Sequence, residues 1–406
     1  MLVYLINILL IIVWALVFCT GKRTLLKKIL FVMICFLQLY LISAVRYRVG
    51  GDYSMYTAGF FSMAVDTSYN GFFFNFGYED WEIGYIFLNK IITLFTADYK
   101  VFIAIISVFP LIGPAYLIAR YSQNAFISVF LYVNLYLFYM DMNFIRQAIA
   151  MSILCFAYGF MKDKKFWRFL IVVAIAACFH LTALYMIPVF LVGLLKVNTR
   201  TLILYLFGLL FYYILSDGVL NIVLAHFHNE YSGSIFIENG VFVVYAFFPL
   251  LICAAMVFVS YYVKNLTPEQ HMLIHLTLLM GFWTVVMTKH ALFERFSYYT
   301  MLFVVLAVPE VIKAFSAQYK ENLIKKYTGS IGEEGKDKKV RVMTAKASAA
   351  ASRTVLIITV SLLVLAFAYN MMGLVRGAHG VIPYQTSYGW NIPSIDGLFI
   401  NQEITT

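Results

Sequence analysis

The stretch TVLIITVSLLVLAFAYNMM, residues 354–372, contains no charged side chain. A helix of about 20 apolar residues crosses the hydrocarbon core of a bilayer. Further apolar runs, some of them shorter, recur along the chain, so we predict an all-α polytopic membrane protein with about 12 transmembrane helices. The predicted spans are 2–20, 29–45, 101–119, 125–140, 144–161, 169–180, 183–196, 201–215, 241–263, 271–288, 297–312 and 354–372.

The composition excludes a soluble domain. Hydrophobic residues make up 63% of the 406 and charged residues only 12%, against about 25% charged residues in a typical soluble domain. The five cysteines all lie in apolar runs without metal or redox spacing, which indicates packing residues within helices.

The distribution of basic residues predicts the orientation. The first apolar run is followed, not preceded, by basic residues, the reverse of a cleaved signal peptide, so we expect an uncleaved first span with its N-terminus outside. Twelve spans then place 22 of the 30 Lys and Arg residues inside, as the positive-inside rule requires. That excess also accounts for the net charge of +10, and nucleic acid is not an expected partner.

The chain divides into one transmembrane domain, residues 1–372, and an extracytoplasmic tail, residues 373–406. The domain contains two outer loops, 46–100 and 216–240, and a basic cytoplasmic linker, 313–353. The linker is rich in Lys, Arg and small residues, which predicts a flexible segment resting on anionic lipid.

The first polar cluster is Arg46-Tyr-Arg48-Val-Gly50-Gly51-Asp52, directly after a predicted span. Glycines allow close approach of a ligand and offer backbone N–H groups, and arginines supply forked donors for phosphate oxygens. The motif therefore predicts a phosphate site at the outer end of the span. The alternative is an ordinary turn in which Asp52 pairs locally.

Further polar residues lie at predicted span ends. Asn143, Arg146 and Gln147 have the i, i+3, i+4 spacing that puts side chains on one helix face, where they would line a cavity or bond a neighbouring helix. His180, between two short spans, is a candidate base, phosphate donor or core residue, and Arg295 either binds an anion or pairs with Glu294. Walker, dinucleotide-binding and His-Glu-x-x-His motifs are absent from the sequence, so we expect neither cofactor nor metal.

Together these motifs resemble the EpsG-like family, a branch of the Wzy-type polysaccharide polymerases. The resemblance extends from about residue 1 to 372, with Thr182 where the family pattern has Ser. The elements that carry it are Arg48-x-Gly50-x-Asp52-x-x-x-Tyr56, Glu82-x-Gly84, Asn143-x-x-Arg146-Gln147-x-x-Ala150, Phe179-His180-x-Thr182-Ala183 and Arg295-x-x-x-Tyr299.

The resemblance implies transfer between two undecaprenyl-pyrophosphate-linked glycans, donor and acceptor, on the extracytoplasmic side of the bacterial cytoplasmic membrane. It also implies a fold like that of the GT-C-type lipid-dependent glycosyltransferases. Membrane lipids and a chain-length regulator protein are the other candidate partners. Arginines would stabilise the departing pyrophosphate without a metal, and one of three residues would act as base. The expected pyrophosphate ligands are Arg46, Arg48, Arg146 and Arg295; the candidate bases are Asp52, Glu82 and His180; the expected substrate contacts are Tyr56, Asn143, Gln147, Thr182 and Tyr299.

Three other functions are compatible with parts of the sequence. A polysaccharide ligase or another lipid-linked glycan transferase would use the same chemistry with a different acceptor. A flippase is expected to show polar groups near mid-membrane and repeated halves, whereas the charges here gather at outer span ends and no halves repeat. A membrane acyltransferase could use His180, but no partner motif accompanies it.

Overall fold

The computed structural model describes residues 1–22, 24–66, 81–227, 240–328 and 336–387. Within these ranges the secondary structure is helical, apart from one isolated antiparallel bridge between Arg46 and Thr386. The prediction of an all-α protein is confirmed. The chain forms two compact units, one of Met1–Ile187 with Asn370–Thr406 and the other of Pro188–Tyr369.

The first unit contains a series of mostly short helices, and a 3-10 turn at Leu181–Tyr185 follows the last of them. In chain order they are α1 (Leu2–Phe18), α2 (Leu25–Ala44), α3 (Tyr53–Val65), α4 (Ile83–Thr93), α5 (Tyr99–Ile106), α6 (Val108–Tyr121), α7 (Ala125–Asn134), α8 (Leu137–Asn143), α9 (Ile145–Lys162) and α10 (Phe166–Ala177).

Longer helices make up the second unit. They are Thr199–Phe227, Val244–Tyr262, Pro268–Val286, Glu294–Thr328 and Lys336–Val375, the last of which continues into the first unit from Asn370. A short helix, Met186–Gly193, connects the two parts of the chain. An apolar cleft lies among the second unit's helices and is lined by residues such as Met256, Val308 and Ile358.

Each of the twelve predicted spans coincides with a helix or a pair of helices, but the count of twelve is not confirmed. By length and composition, six helices in the described ranges can cross a membrane, or seven if the bent pair α7 and α8 is one span. As candidate spans their bounds differ in part from those of the helices above, and α5 and α6 count as one. The six are Leu25–Ala44, Tyr99–Tyr121, Thr199–Ser216, Val244–Tyr262, Ala291–Thr328 and Val340–Val375. Other predicted spans correspond to shorter apolar helices, such as Leu2–Phe18 and Phe166–Ala177.

Two predicted loops contain regular structure. The composition of the linker 313–353 predicts a flexible segment, but its described residues lie in Glu294–Thr328, of 35 residues, and Lys336–Val375, of 40. Lysine, arginine and alanine are strong helix formers, so a basic, Ala-rich segment can extend an apolar helix. The outer loop 46–100 contains α3 and α4, and residues 67–80 of it lie outside the described part of the chain, as do residues 228–239 of the loop 216–240.

An aromatic core in the first unit supports the region after α2. Tyr56, Trp81 and Tyr85 pack together within it, with ring centroids 5.2 to 5.9 Å apart. Phe60 of α3 stacks on Phe102 of α5, with centroids 4.1 Å apart. Aromatic pairs add stability beyond that gained by burying their apolar surface. These pairs therefore hold α3, α4 and α5 together as one layer.

Candidate functional site

Glu82 is the centre of a charged network in the first unit. Its Oε2 accepts a hydrogen bond from Arg146 Nη1 at 2.5 Å, and its Oε1 lies 2.8 Å from His180 Nδ1. The backbone N–H of Leu181 also donates to Oε1, at 3.2 Å. The side chains of Arg146 and Glu82 are 19% and 18% exposed, so the pair is largely shielded from water. Three residues that the motifs singled out are therefore in direct contact.

The neighbours of Arg146 fix its guanidinium. It donates a hydrogen bond to the hydroxyl of Tyr56, which is 2% exposed. Its Cζ lies 5.9 Å from the ring centroid of Trp81, within the range of a cation–π contact. Tyr56, predicted as a substrate contact, thus borders the network.

Two glycines allow the network to assemble. A Cβ added at Gly84 would lie 2.7 Å from the carbonyl oxygen of Cys178, and the Gly84 N–H donates to that same oxygen at 2.7 Å. This contact joins the start of α4 to the end of α10, and so brings Glu82 to His180. A Cβ at Gly59 would lie 2.1 Å from the Trp81 ring, so only glycine lets that ring cover α3.

The environment of Glu82 sets its ionisation. Burial acts to raise the pKa of the carboxyl, but the hydrogen bond from His180 and the charges of Arg146 and His180 outweigh it and lower the pKa to about 2. Glu82 is therefore ionised across the physiological range and is a weak base. Because an ionised carboxylate only accepts hydrogen bonds, Nδ1 of His180 carries a hydrogen, and in the neutral ring Nε2 holds the lone pair. Of the two, His180 is the better base.

The expected single polar face across Asn143, Arg146 and Gln147 is wrong. α8 ends at Asn143, Phe144 has a ψ of 62°, and α9 begins at Ile145, so Asn143 and Arg146 lie on different helices. The break leaves Asn143 directed at the loop after α2, where its Oδ1 accepts a hydrogen bond from Asp52 N at 3.0 Å. Gln147 is 2% exposed on α9.

Arg46 and Arg48 have different surroundings. Arg46 is 1% exposed, and its Nη1 donates to the carbonyl and hydroxyl oxygens of Ser43, both at 2.6 Å, and to Ser107 Oγ at 2.7 Å. Burial lowers the pKa of the Arg46 guanidinium to about 10, so it remains protonated at neutral pH. Arg48 is exposed, with its Cζ 5.3 Å from the Tyr47 ring. Of the two, Arg48 is the one presented to a ligand from solution.

The backbone N–H groups of the glycine motif are already used, contrary to the expectation that they are open to phosphate. Gly50 N donates to the Gly380 carbonyl and Gly51 N to the His379 carbonyl, both at 3.0 Å. The φ of Gly50 is +101°, and a Cβ there would lie 2.7 Å from the Met142 carbonyl oxygen. The glycines therefore serve close packing of the chain on itself.

The remaining predicted residues are Thr182, Arg295 and Tyr299. Thr182 is half-buried in the 3-10 turn after His180. Arg295 and Tyr299 belong to the second unit, on the helix Glu294–Thr328, where Arg295 is half-buried and Tyr299 is 1% exposed. Among the described residues, no group of His, Cys, Asp and Glu side chains is arranged to hold a metal ion.

The sequence model of the EpsG family matches residues 28–329, about three quarters of the chain. The chain belongs to the EpsG family. This is a family of Wzy-like polysaccharide polymerases, and the match includes Arg48, Glu82, Arg146, His180 and Arg295. Comparison with curated proteins and with solved structures gives no match.

Sequence reasoning missed the contribution of the C-terminal tail. His379 lies against Asn143, with its Nδ1 3.3 Å from Asn143 Nδ2. Residue 379 is outside the segment that matches the EpsG family, and no motif marks it. The only signal is the spacing of glycines at 377 and 380 around it, which predicts a chain reversal.

Proposed function

We propose that this EpsG-family protein joins undecaprenyl-pyrophosphate-linked oligosaccharide repeats into a polysaccharide at the outer face of the bacterial cytoplasmic membrane. The observation that carries the proposal is the network of Arg146, Glu82 and His180. It combines a cation suited to a pyrophosphate with a histidine oriented by a carboxylate. The same proposal includes a GT-C-like fold that crosses the membrane twelve times. In that fold the shorter apolar helices cross the membrane in addition to the long ones.

The transfer needs one base and one stabilised leaving group. The acceptor hydroxyl oxygen attacks the anomeric carbon of the donor, and its proton passes to Nε2 of His180. The bond between that carbon and the pyrophosphate oxygen breaks, and its electron pair leaves with the pyrophosphate. Glu82 holds the imidazole in the tautomer that accepts this proton and stabilises the imidazolium that results.

Stabilisation of the pyrophosphate needs more than Arg146. The charge of Arg146 is balanced by Glu82 in the resting protein, so a further cation is required for a ligand with this much negative charge. Arg48 meets this need, because it is exposed and its loop is tied through Asp52 N to Asn143, three residues before Arg146. Preorganised arginines of this kind act without a divalent metal.

The location of accumulated single repeats tests this function against a flippase. Cells producing the Arg146→Ala variant should retain lipid-linked single repeats on the outer leaflet and make no polymer, because the units have already crossed. Arg168→Ala, which removes an exposed arginine of α10, is the matched control and should leave polymer length unchanged. Single repeats confined to the inner leaflet would refute the polymerase and support transport.

A further inference from the structure

The chain turns back on itself after its last helix. Gly377, His379 and Gly380 have φ values of +64°, +60° and +65°, a left-handed conformation that is uncommon for residues other than glycine. The reversal directs residues 378–387, the C-terminal segment, along the loop that follows α2. A residue other than glycine keeps this backbone conformation only where contacts with the surrounding structure fix it.

Backbone and side-chain contacts dock the C-terminal segment along its length. Tyr47 N donates to the Gln385 carbonyl at 2.9 Å, and Ser387 N donates to the Val45 carbonyl at 3.0 Å. The hydroxyl of Tyr384, which is 5% exposed, donates to the Ile42 carbonyl at 2.7 Å. Buried contacts of this kind make the segment part of the first unit's folded structure.

The C-terminal segment closes over the glycine motif. The carbonyls of His379 and Gly380 accept the two glycine N–H groups, and a Cβ added at Gly380 would lie 3.2 Å from Gly51 N. These two backbone donors are therefore not available to a phosphate.

The ring of His379 links this loop to the start of α9. Asn143 Nδ2 donates to His379 Nδ1 at 3.3 Å, while Asn143 Oδ1 accepts from Asp52 N at 3.0 Å. The same ring packs edge-on against Phe144, with centroids 5.7 Å apart. Phe144 is the residue at which α8 gives way to α9, two positions before Arg146.

We propose that His379 is a positioning residue for glycosyl transfer: it holds Asn143, and so aligns the loop of Arg48 with the helix of Arg146. This inference rests on the proposed function. In it, the C-terminal segment, outside the family match, completes the pyrophosphate site by fixing the relative placement of the two arginines.

Two substitutions of His379 separate positioning from folding. His379→Gly keeps the carbonyl that Gly51 N uses and suits a positive φ, but removes the ring. His379→Asn also tolerates this φ, and its amide can still accept from Asn143. With purified full-length protein and lipid-linked repeats, the glycine variant should lose roughly tenfold to hundredfold in kcat, with a smaller change in KM and an unchanged unfolding temperature. The asparagine variant should recover most of the loss.

Val375→Ala is the control, because Val375 is 71% exposed at the end of the helix; it should behave as wild type. A double variant that combines His379→Gly with Asn143→Ala gives a further test. A general loss of folding would not reproduce its expected result. If His379 acts through Asn143, the double variant should lose no more kcat than Asn143→Ala alone.

Wild-type kcat in His379→Gly, failure of His379→Asn to recover it, or fully additive losses in the double variant would each overturn the inference. The experiments distinguish failure of the positioning role from failure of the proposed polymerase function. Normal polymerisation by Arg146→Ala would refute the proposed function, whatever His379 does. An inactive Arg146→Ala beside a fully active His379→Gly would refute the positioning role alone.

Discussion

Glu82→Gln removes the charge at the centre of the network while keeping the size and shape of the side chain. In the wild-type protein the carboxylate accepts hydrogen bonds from Arg146, His180 and the Leu181 backbone. A neutral amide leaves the Arg146 guanidinium without a counter-charge in a largely buried setting. We therefore expect the variant to be less stable and less active than wild type.

The lowered pKa of Glu82 gives the size of the effect on stability. A tenfold change in proton affinity is worth roughly 1.4 kcal/mol, so a fall of the pKa from 4.5 to about 2 corresponds to about 3 kcal/mol. Because the folded-state pKa is the lower one, this stabilisation is complete above about pH 4.5 and is lost as the pH falls through about 2. At pH 3 only about 1 kcal/mol of it should remain.

Thermal unfolding of purified protein in detergent, at pH 7 and at pH 3, measures this contribution. The unfolding temperature of Glu82→Gln should lie well below that of wild type at pH 7, and the gap should narrow at pH 3. Asp163→Asn is the matched control, since Asp163 pairs with Lys165 at an exposed site and such pairs contribute little. A gap that is absent at pH 7, or that is equally large at pH 3, would show that the charge of Glu82 does not stabilise the fold.

Three further outcomes follow from the structure. Gly84→Ala should reduce polymerisation by about 100-fold, because its Cβ would meet the Cys178 carbonyl at 2.7 Å and displace the start of α4. Product formation by the purified variant measures this effect, and a wild-type rate would contradict it. Arg48→Lys should raise KM for the lipid-linked donor by roughly tenfold at normal protein abundance, because lysine lacks the forked guanidinium donors. An unchanged KM would exclude Arg48 from the pyrophosphate site. In a cysteine-free background, an impermeant thiol reagent should label Ala97→Cys in intact cells and Lys164→Cys only after lysis; the reverse pattern would overturn the orientation.

Apolar runs predict the membrane-length helices well but miss some of their interruptions. The breaks at Ser107 and Tyr136 fall inside the predicted spans 101–119 and 125–140, with no proline or glycine at either residue. Hydropathy measures whether a residue tolerates lipid, and a break in mid-run depends on the polar contacts that the freed backbone finds in the fold. For the same reason the sequence predicts twelve apolar runs, while six helices in the described ranges have the length and composition of a span.

The sequence predicts the residues of the candidate site but not their arrangement. Motifs identify Glu82, Arg146 and His180 one by one, yet their contacts span 64 and 98 positions, and only the packing of α4, α9 and α10 brings them together. The docking of the C-terminal segment uses mainly backbone groups, which every residue carries. No residue type marks such contacts, so sequence reasoning assigns the tail no role.

The proposed reaction can be reconstituted with the purified protein alone. Full-length protein in detergent is supplied with undecaprenyl-pyrophosphate-linked repeats, in a chelator-containing buffer and without any nucleotide sugar. Wild-type protein should convert the repeats into a ladder of longer lipid-linked products, and the His180→Ala and Arg146→Ala variants should not. A strict requirement for a nucleotide sugar or a divalent metal, or an equal ladder from the variants, would be inconsistent with polymerisation by Arg146 and His180.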